Sequence, residues 1–248
     1  MNPIVIIPAR MASTRLKDKP LADIGGKPMI VHVWERAVAA AIGPVVVAAA
    51  DQVIYDVITD CGGTSVLTNP DIPKGSDRIF VALREIDPQG AHDVVVNMQG
   101  DQPTTEPRLL RELLKPLDNP DVDVATLVVP FVENAEDPNI VKVVMVQAGD
   151  QAGRCLYFSR RAVPHNGPYF YHLGFYAYRR AALERYVGLP RGRLELAEDL
   201  EQLRSLEAGL RYDAAIVDAV PLSVDTPDDL EKARSFFAGL SAPAPPSS

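Results

Sequence analysis

Cysteine, tryptophan and histidine are scarce in this chain, with two, one and four copies among 248 residues. Cys61 and Cys155 fall in no Cys-x-x-Cys or Cys/His spacing, which excludes a zinc ribbon or a thioredoxin-like redox pair. Both read as buried structural thiols of a reducing compartment. No apolar run approaches the roughly 18 to 20 residues that would cross a bilayer, and no basic segment with an apolar core opens the chain. The expectation is a cytoplasmic protein without a membrane span. A basic excess is missing as well: 25 Lys and Arg stand against 33 Asp and Glu, for a net charge of −8. That balance argues against nucleic acid as a partner, so any phosphate binding must be local. Gly-x-Gly-x-x-Gly is absent, and the only Gly-Gly-Lys, at Gly25-Gly26-Lys27, is followed by Pro28 and cannot be a Walker loop.

What is present begins at the N-terminus. The run Asn2-Pro3-Ile4-Val5-Ile6-Ile7-Pro8 reads as a strand and feeds a loop, residues 9–21, that carries Arg10, Ser13, Thr14, Arg15, Lys17 and Lys19. A strand that delivers two arginines, hydroxyls and free backbone N–H groups to the carboxyl edge of a parallel sheet makes a place for a triphosphate. A solvated basic turn is the plainer alternative.

Further strands are predicted at 45–49, 64–67 and 94–98, alternating with helical stretches in the pattern of a doubly wound parallel sheet. A helix over 28–41 starts on Pro28 and stops at Gly43-Pro44, with Met29, Val33, Ala37 and Ala40 as its buried stripe. Strand-like runs at 122–130, 140–147, 154–159 and 174–178, with little helix between them, predict an inserted antiparallel portion at about 130–178. One helix over 194–208 with Leu196, Leu200, Leu203 and Leu206 near one face, a strand at 214–217 and a helix over 227–240 complete a single domain of residues 1–240. Residues 241–248, rich in Pro, Ala and Ser, are expected to be a disordered tail.

Two more segments carry chemistry. The strand His92-Asp93-Val94-Val95-Val96-Asn97 leads to Met98-Gln99-Gly100-Asp101-Gln102-Pro103 and so sets Asp101 at the same sheet edge as the basic loop. Magnesium is commonly held by one or two carboxylates plus substrate phosphates, although Gly-Asp after a strand is often only a turn. Asp225 precedes a helix led by Pro227, where Thr226 is the better cap. Together the three segments describe metal-assisted nucleotidyl transfer, which needs no covalent nucleophile.

The combination Pro8-Ala9-Arg10, Ala12-Ser13-Thr14-Arg15-Leu16, Lys19-Pro20-Leu21, Gly26-Lys27-Pro28-Met29-Ile30, Gln99-Gly100-Asp101, Tyr157-Phe158-Ser159-Arg160, His172-Leu173-Gly174 and Val224-Asp225-Thr226-Pro227 resembles the CMP-Kdo synthetases, the 3-deoxy-D-manno-octulosonate cytidylyltransferases. The resemblance implies an α/β fold of the Rossmann-like nucleotidyltransferase kind, whose antiparallel portion serves dimerisation and sugar binding. It also implies transfer of CMP from CTP to the anomeric hydroxyl of Kdo, with Mg²⁺, for lipopolysaccharide biosynthesis, by a homodimer.

By matching position it places Ala9, Arg10, Ser13, Arg15 and Lys19 at CTP, Ser76 and Arg78 at the nucleotide, and Asp101 and Asp225 at the metal. Lys19, Asp101 and Asp225 form the catalytic group. Gln99, His172, Tyr176, Glu201 and Gln202 match sugar-facing positions. Ser76 could equally cap its helix, His172 could be a hydrogen-bonded core histidine, and Glu201 a solvated helix residue.

The chain departs from the family pattern at Met11, at Lys17-Asp18, at Lys74 and between Pro164 and His172, where only residues 165–171 stand for a segment that is often longer in the family and carries a basic sugar contact. Rival readings are transfer to the 8-amino-8-deoxy octulosonate, less readily to a sialate, a glycosyltransferase using Asp121-Val122-Asp123, and a non-catalytic nucleotide-binding protein.

Overall fold

The computed structural model describes residues 1–12, 16–131 and 133–241. Strand β1 (Pro3–Ala9) is followed by a 3-10 turn at Lys19–Leu21, a small hairpin of β2 (Asp23–Ile24) and β3 (Lys27–Pro28), and helix α1 (Met29–Ala40). Then come β4 (Val45–Ala49), α2 (Gln52–Asp60), β5 (Thr64–Leu67), α3 (Gly75–Ile86), β6 (Val94–Asn97) and α4 (Pro107–Leu114). The second half contains β7 (Val124–Phe131), β8 (Lys142–Gln147), β9 (Ala152–Ser159), β10 (Tyr169–Arg179), α5 (Arg180–Val187), α6 (Arg193–Glu198), α7 (Gln202–Glu207), β11 (Tyr212–Ile216) and α8 (Pro227–Ser241).

One sheet runs through the molecule in the order β5-β4-β1-β6-β10-β7-β11-β9-β8. Its first four strands are parallel, and the near-continuous Val, Ile and Ala of β1, β4 and β6 are buried on both faces, as crossover helices on two sides require, while the edge strand β5 keeps Thr64 and Leu67 exposed. Ile30, Val33, Ala37, Ile54, Ile58, Leu109 and Leu110 of α1, α2 and α4 cover one face. Ile79, Leu83, Leu183, Tyr186 and Leu203 of α3, α5 and α7 cover the other. Met29, Val33, Ala37 and Ala40 are all buried, as the stripe predicted.

Antiparallel strands do occupy the stretch expected to hold them, but they extend the main sheet. β10 pairs antiparallel with both β6 and β7, and β11 enters beside β7 in parallel. The last five strands curl until β8 meets β10 at Lys142 and Tyr171, which closes a small ring. His172, Phe158 and Tyr212 are buried among them.

Two expectations need correction. The helix over 194–208 is two helices, because Asp199 adopts a left-handed conformation (φ 52°) and Leu196 is exposed. Local propensity favours one helix there, but tertiary bonds override it: the Arg160 guanidinium donates to the carbonyls of Glu198 and Asp199, and Arg204 grips Glu195 with bonds of 2.7 and 2.9 Å. Cys61 is exposed; only Cys155 is buried, and burial holds its thiol well above the usual range. Of the tail expected at 241–248, Ser241 ends α8 and the remainder lies outside the described residues; among the described residues no helix is long and apolar enough to cross a membrane.

Candidate active site

Three loops meet at the carboxyl edge of the parallel strands. The first leaves β1 at Ala9. Arg10 follows at the surface, its guanidinium donating to the Pro73 carbonyl at 3.3 Å, and the Met11 N–H donates to Asp51 at 2.8 Å. Asp18 turns the chain in a left-handed conformation and Pro20 packs into the interior, which presents Lys19 inward. The second loop follows β6. A Cβ at Gly100 would stand 2.7 Å from the Pro8 carbonyl oxygen, so only glycine lets this backbone pass β1 and set Asp101 beside Lys19.

The third loop precedes α8. Its Val224 N–H donates to the Asp101 carbonyl at 2.9 Å, which ties the two aspartate-bearing segments together. Thr226 caps the helix reciprocally with Asp229: the Asp229 N–H donates to the Thr226 hydroxyl, and that hydroxyl donates to the Asp229 carboxylate. The cap is therefore Thr226, as its sequence position indicated, and Asp225 faces Lys19.

The Lys19 ammonium lies 2.8 Å from Asp101 and 3.1 Å from Asp225. Burial works against its charge, but the two carboxylates, Asp101 first, outweigh that and hold its pKa above the ordinary lysine value. The cluster forms one wall of a cleft of about 430 Å³, with Ala9, Arg10, Lys74, Gln99 and Glu201 among its other lining groups. Gly100 and Gly75 let backbone line this cleft at close range.

Arg78 also borders the cleft, but its guanidinium is occupied beneath it. It donates to the Thr68 hydroxyl and to the carbonyls of Asn69 and Ile72, the latter at 2.7 Å, and so shapes the 68–73 loop. Ser76 does not cap α3, whose N-cap is Lys74; its hydroxyl donates to Glu201 at 3.2 Å. Glu201 also pairs with Lys74 at 3.0 Å and is no free solvated residue. A second cleft of about 250 Å³ continues from the first through Gly75, Gln99 and Glu201, and adds Tyr176, Tyr178, Tyr186 and Gln202. Gln99 is held between the two by its bond to the Gly174 carbonyl.

His172 lines neither cleft. Thr126 donates its hydroxyl proton to the Phe175 carbonyl at 2.6 Å, so the same oxygen accepts from His172 Nε2–H at 2.9 Å, which fixes the neutral ring's tautomer. Burial lowers the pKa of His172 to about 3. Its ring touches Tyr176 edge-on, with centroids 5.3 Å apart, and so backs the cleft wall from behind.

Asp121 and Asp123 are spent elsewhere: Asp123 accepts from the Arg211 N–H, and Asp121 lies 3.8 Å from the Arg211 guanidinium. Ser13 and Arg15 lie outside the described residues. Lys74, Tyr186 and the Arg160–Glu198 support were not anticipated as site residues; the polar Tyr157-Phe158-Ser159-Arg160 motif was the one signal pointing to the last.

A triphosphate-sized polar cleft joined to an aromatic, hydroxyl-lined one suits a nucleotide and a second, polyhydroxylated substrate. The profile of the cytidylyltransferase family matches residues 4–214. A curated 3-deoxy-manno-octulosonate cytidylyltransferase of Paramagnetospirillum magneticum is 54% identical over 241 residues, which span 96% of this chain and 98% of that protein. The chain belongs to the 3-deoxy-manno-octulosonate cytidylyltransferase family. A second member, from Rhodospirillum rubrum, is 55% identical over 95% of both chains.

Among solved structures, a CMP:2-keto-3-deoxy-manno-octonic acid synthetase complexed with CTP matches with a TM-score of 0.90 at 38% identity, over 97% of this chain and all of that one. A 4-diphosphocytidyl-2C-methyl-D-erythritol synthase of Anaerococcus prevotii matches with a TM-score of 0.64 at 12% identity, over 96% of this chain and 98% of that one, a likeness of fold alone. The cytidylyltransferase fold is thus shared well beyond the family's own members.

Proposed function

We infer that this enzyme transfers CMP from CTP to the anomeric hydroxyl of 3-deoxy-D-manno-octulosonate, giving CMP-Kdo and pyrophosphate for lipopolysaccharide assembly, and that the Lys19–Asp101–Asp225 cleft is where it does so. The observation that carries the placement is the convergence of two carboxylates from separate loops on one ammonium. Asp101 and Asp225 line the cleft and are 27% and 35% exposed, so a cation can reach both carboxylates.

Among the described residues, no group of three or more His, Cys, Asp or Glu could hold a metal ion by protein ligands alone. Two carboxylates suit Mg²⁺, a hard ion that takes its remaining ligands from phosphates and water. When bound, Mg²⁺ neutralises charge on the α-phosphate and its oxygens.

The chain's own groups do the rest. Lys19 counters the triphosphate charge and Arg10 borders the cleft; Ser13 and Arg15 are assigned to CTP by the family resemblance alone. The second cleft orients the sugar through Gln99, Tyr176, Glu201 and Gln202, with His172 behind Tyr176. The sugar's anomeric hydroxyl gives up its proton to solvent, and its oxygen forms a bond to the α-phosphorus as the bond to the pyrophosphate oxygen breaks. Orientation of this kind supplies much of the rate of an in-line displacement.

Val146 and Leu156, 58% and 49% exposed on the neighbouring strands β8 and β9, support a homodimer built on the antiparallel part of the sheet. We place the enzyme in the cytoplasm, where CTP is made.

The test is pyrophosphate release with Mg²⁺ and CTP, comparing Kdo, its 8-amino-8-deoxy analogue and N-acetylneuraminate, with UTP as nucleotide control. Release with Kdo and CTP is expected. Release with the amino sugar alone would keep the mechanism and change the acceptor.

A further inference from the structure

Asn97 closes β6, two positions beyond Val95 on the strand face that also carries Ile4 and Ile6 into the α3–α5 side of the core. Alternation calls for an apolar side chain here, and the chain supplies a carboxamide. The residue is 3% exposed and its Oδ1 has no hydrogen-bond partner. Buried polar atoms without partners are uncommon, because each forfeits its hydration and gains nothing in return. Gln102 Oε1 shares that condition but does not line the second cleft. Asn97 does, on the same wall as Gln99 and Tyr176, and Tyr176 is its register partner across β10.

We propose that Asn97 contacts the sugar: its carboxamide oxygen accepts a hydrogen bond from one hydroxyl of the octulosonate and sets which hydroxyl pattern the second cleft admits. The chemistry of the orphan atom selects the partner. Oδ1 can only accept, so phosphate and carboxylate oxygens leave it unsatisfied, whereas a hydroxyl donates to it and can still accept from a neighbouring donor. The cleft around it is lined by the hydroxyl of Ser76, the phenols of Tyr176, Tyr178 and Tyr186, and the side chains of Gln99, Glu201 and Gln202. A polyhydroxylated chain or ring meets matching groups on every side. Because the acceptor is already buried and unpaired in the free protein, a hydroxyl that reaches it gains a hydrogen bond that analogues lacking the donor cannot make.

This inference rests on the octulosonate being the acceptor, and the experiment separates the two. Steady-state kinetics are measured for the wild type, Asn97→Leu and Asn97→Ala with CTP and Kdo, together with Kdo derivatives that each lack one hydroxyl; thermal unfolding is followed in parallel. Wild-type turnover of Kdo establishes the acceptor independently of Asn97. The proposal expects both variants to raise KM for Kdo about tenfold or more, with KM for CTP within twofold, the change that follows from losing one hydrogen bond to a hydroxyl. Asn97→Leu should melt no lower than the wild type, because it replaces an unpaired amide by an apolar side chain. One deoxy derivative should lose about tenfold with the wild type and nothing further with Asn97→Leu. Unchanged KM for Kdo in both folded variants, a rise confined to CTP, or equal relative losses for every derivative in wild type and variants would each overturn the assignment.

Discussion

The two walls of the active cleft are built from opposite materials. The wall at the ends of β1 and β6 is a cluster of formal charges, Lys19 with Asp101 and Asp225, held on loops and partly open to solvent. The wall from β10, α5 and α7 is made mostly of tyrosines and neutral amides on regular elements, with Tyr176, Tyr178 and Tyr186 stacked in sequence and the carboxylate of Glu201 already paired with Lys74. Triphosphate chemistry needs mobile charge that can be exchanged for a metal ion and phosphate oxygens. Sugar recognition needs hydroxyl-matching groups that do not move. The fold meets both demands by bringing parallel strand ends against a curled antiparallel ring.

The comparison breaks most sharply at the charged wall. Asp101→Asn and Asp225→Asn should each leave the fold intact and cut turnover about a hundredfold or more, as loss of a metal ligand for phosphoryl transfer does; steady-state pyrophosphate release together with a melting curve checks this. Near-normal turnover in either would remove that aspartate from the site.

The neutral wall should respond through rigidity. Arg160 donates to the carbonyls of Glu198, Asp199 and Pro138, and its N–H donates to the Glu198 carboxylate. Arg160→Met would leave those carbonyls unpaired and loosen the turn that carries Glu201. A stability loss of about 1–3 kcal/mol is expected, with KM rising for Kdo more than for CTP. An equal rise for both substrates would show that the turn serves the whole cleft.

His172 sharpens the contrast through pH. Its folded pKa of about 3 lies below the usual 6.5, so the unfolded chain binds a proton that the native protein refuses. The stability this confers is complete above pH 6.5 and is lost as pH falls from there toward 3, at up to about 1.4 kcal/mol per unit. Urea titrations should give His172→Gln a shallower decline than the wild type between pH 6 and 4; parallel declines would contradict the buried neutral ring. The smallest effect belongs to Leu196, which is 58% exposed on α6: Leu196→Gln should change stability by about 0.5 kcal/mol or less in the same titration.

Much of this was legible in the residues. The parallel half announced itself because its strands are short apolar runs punctuated by Pro and Gly, and β4 and β5 fall at the predicted positions. Asp101 and Asp225 could be singled out because each follows an apolar run at a turn, and no core position explains them. What could not be read was anything decided by distant partners. The break at Asp199 depends on Arg160, thirty-nine positions away in the chain, and helical periodicity runs straight through it. The depth of His172 depends on the ring that β8 closes onto β10 through Lys142 and Tyr171. Arg78 borders the cleft as its motif suggests, but its engagement by the carbonyls of Asn69 and Ile72 is visible only once that loop has folded over it.

The most direct test of the account is Mn²⁺ binding in place of Mg²⁺, followed by electron paramagnetic resonance with CTP present and no sugar. Wild-type enzyme should bind the ion tightly in the presence of CTP, and the folded Asp101→Asn/Asp225→Asn double variant should leave it distributed as it is with CTP alone. Equal Mn²⁺ binding by wild type and double variant would contradict the assignment of the paired aspartates as the metal site.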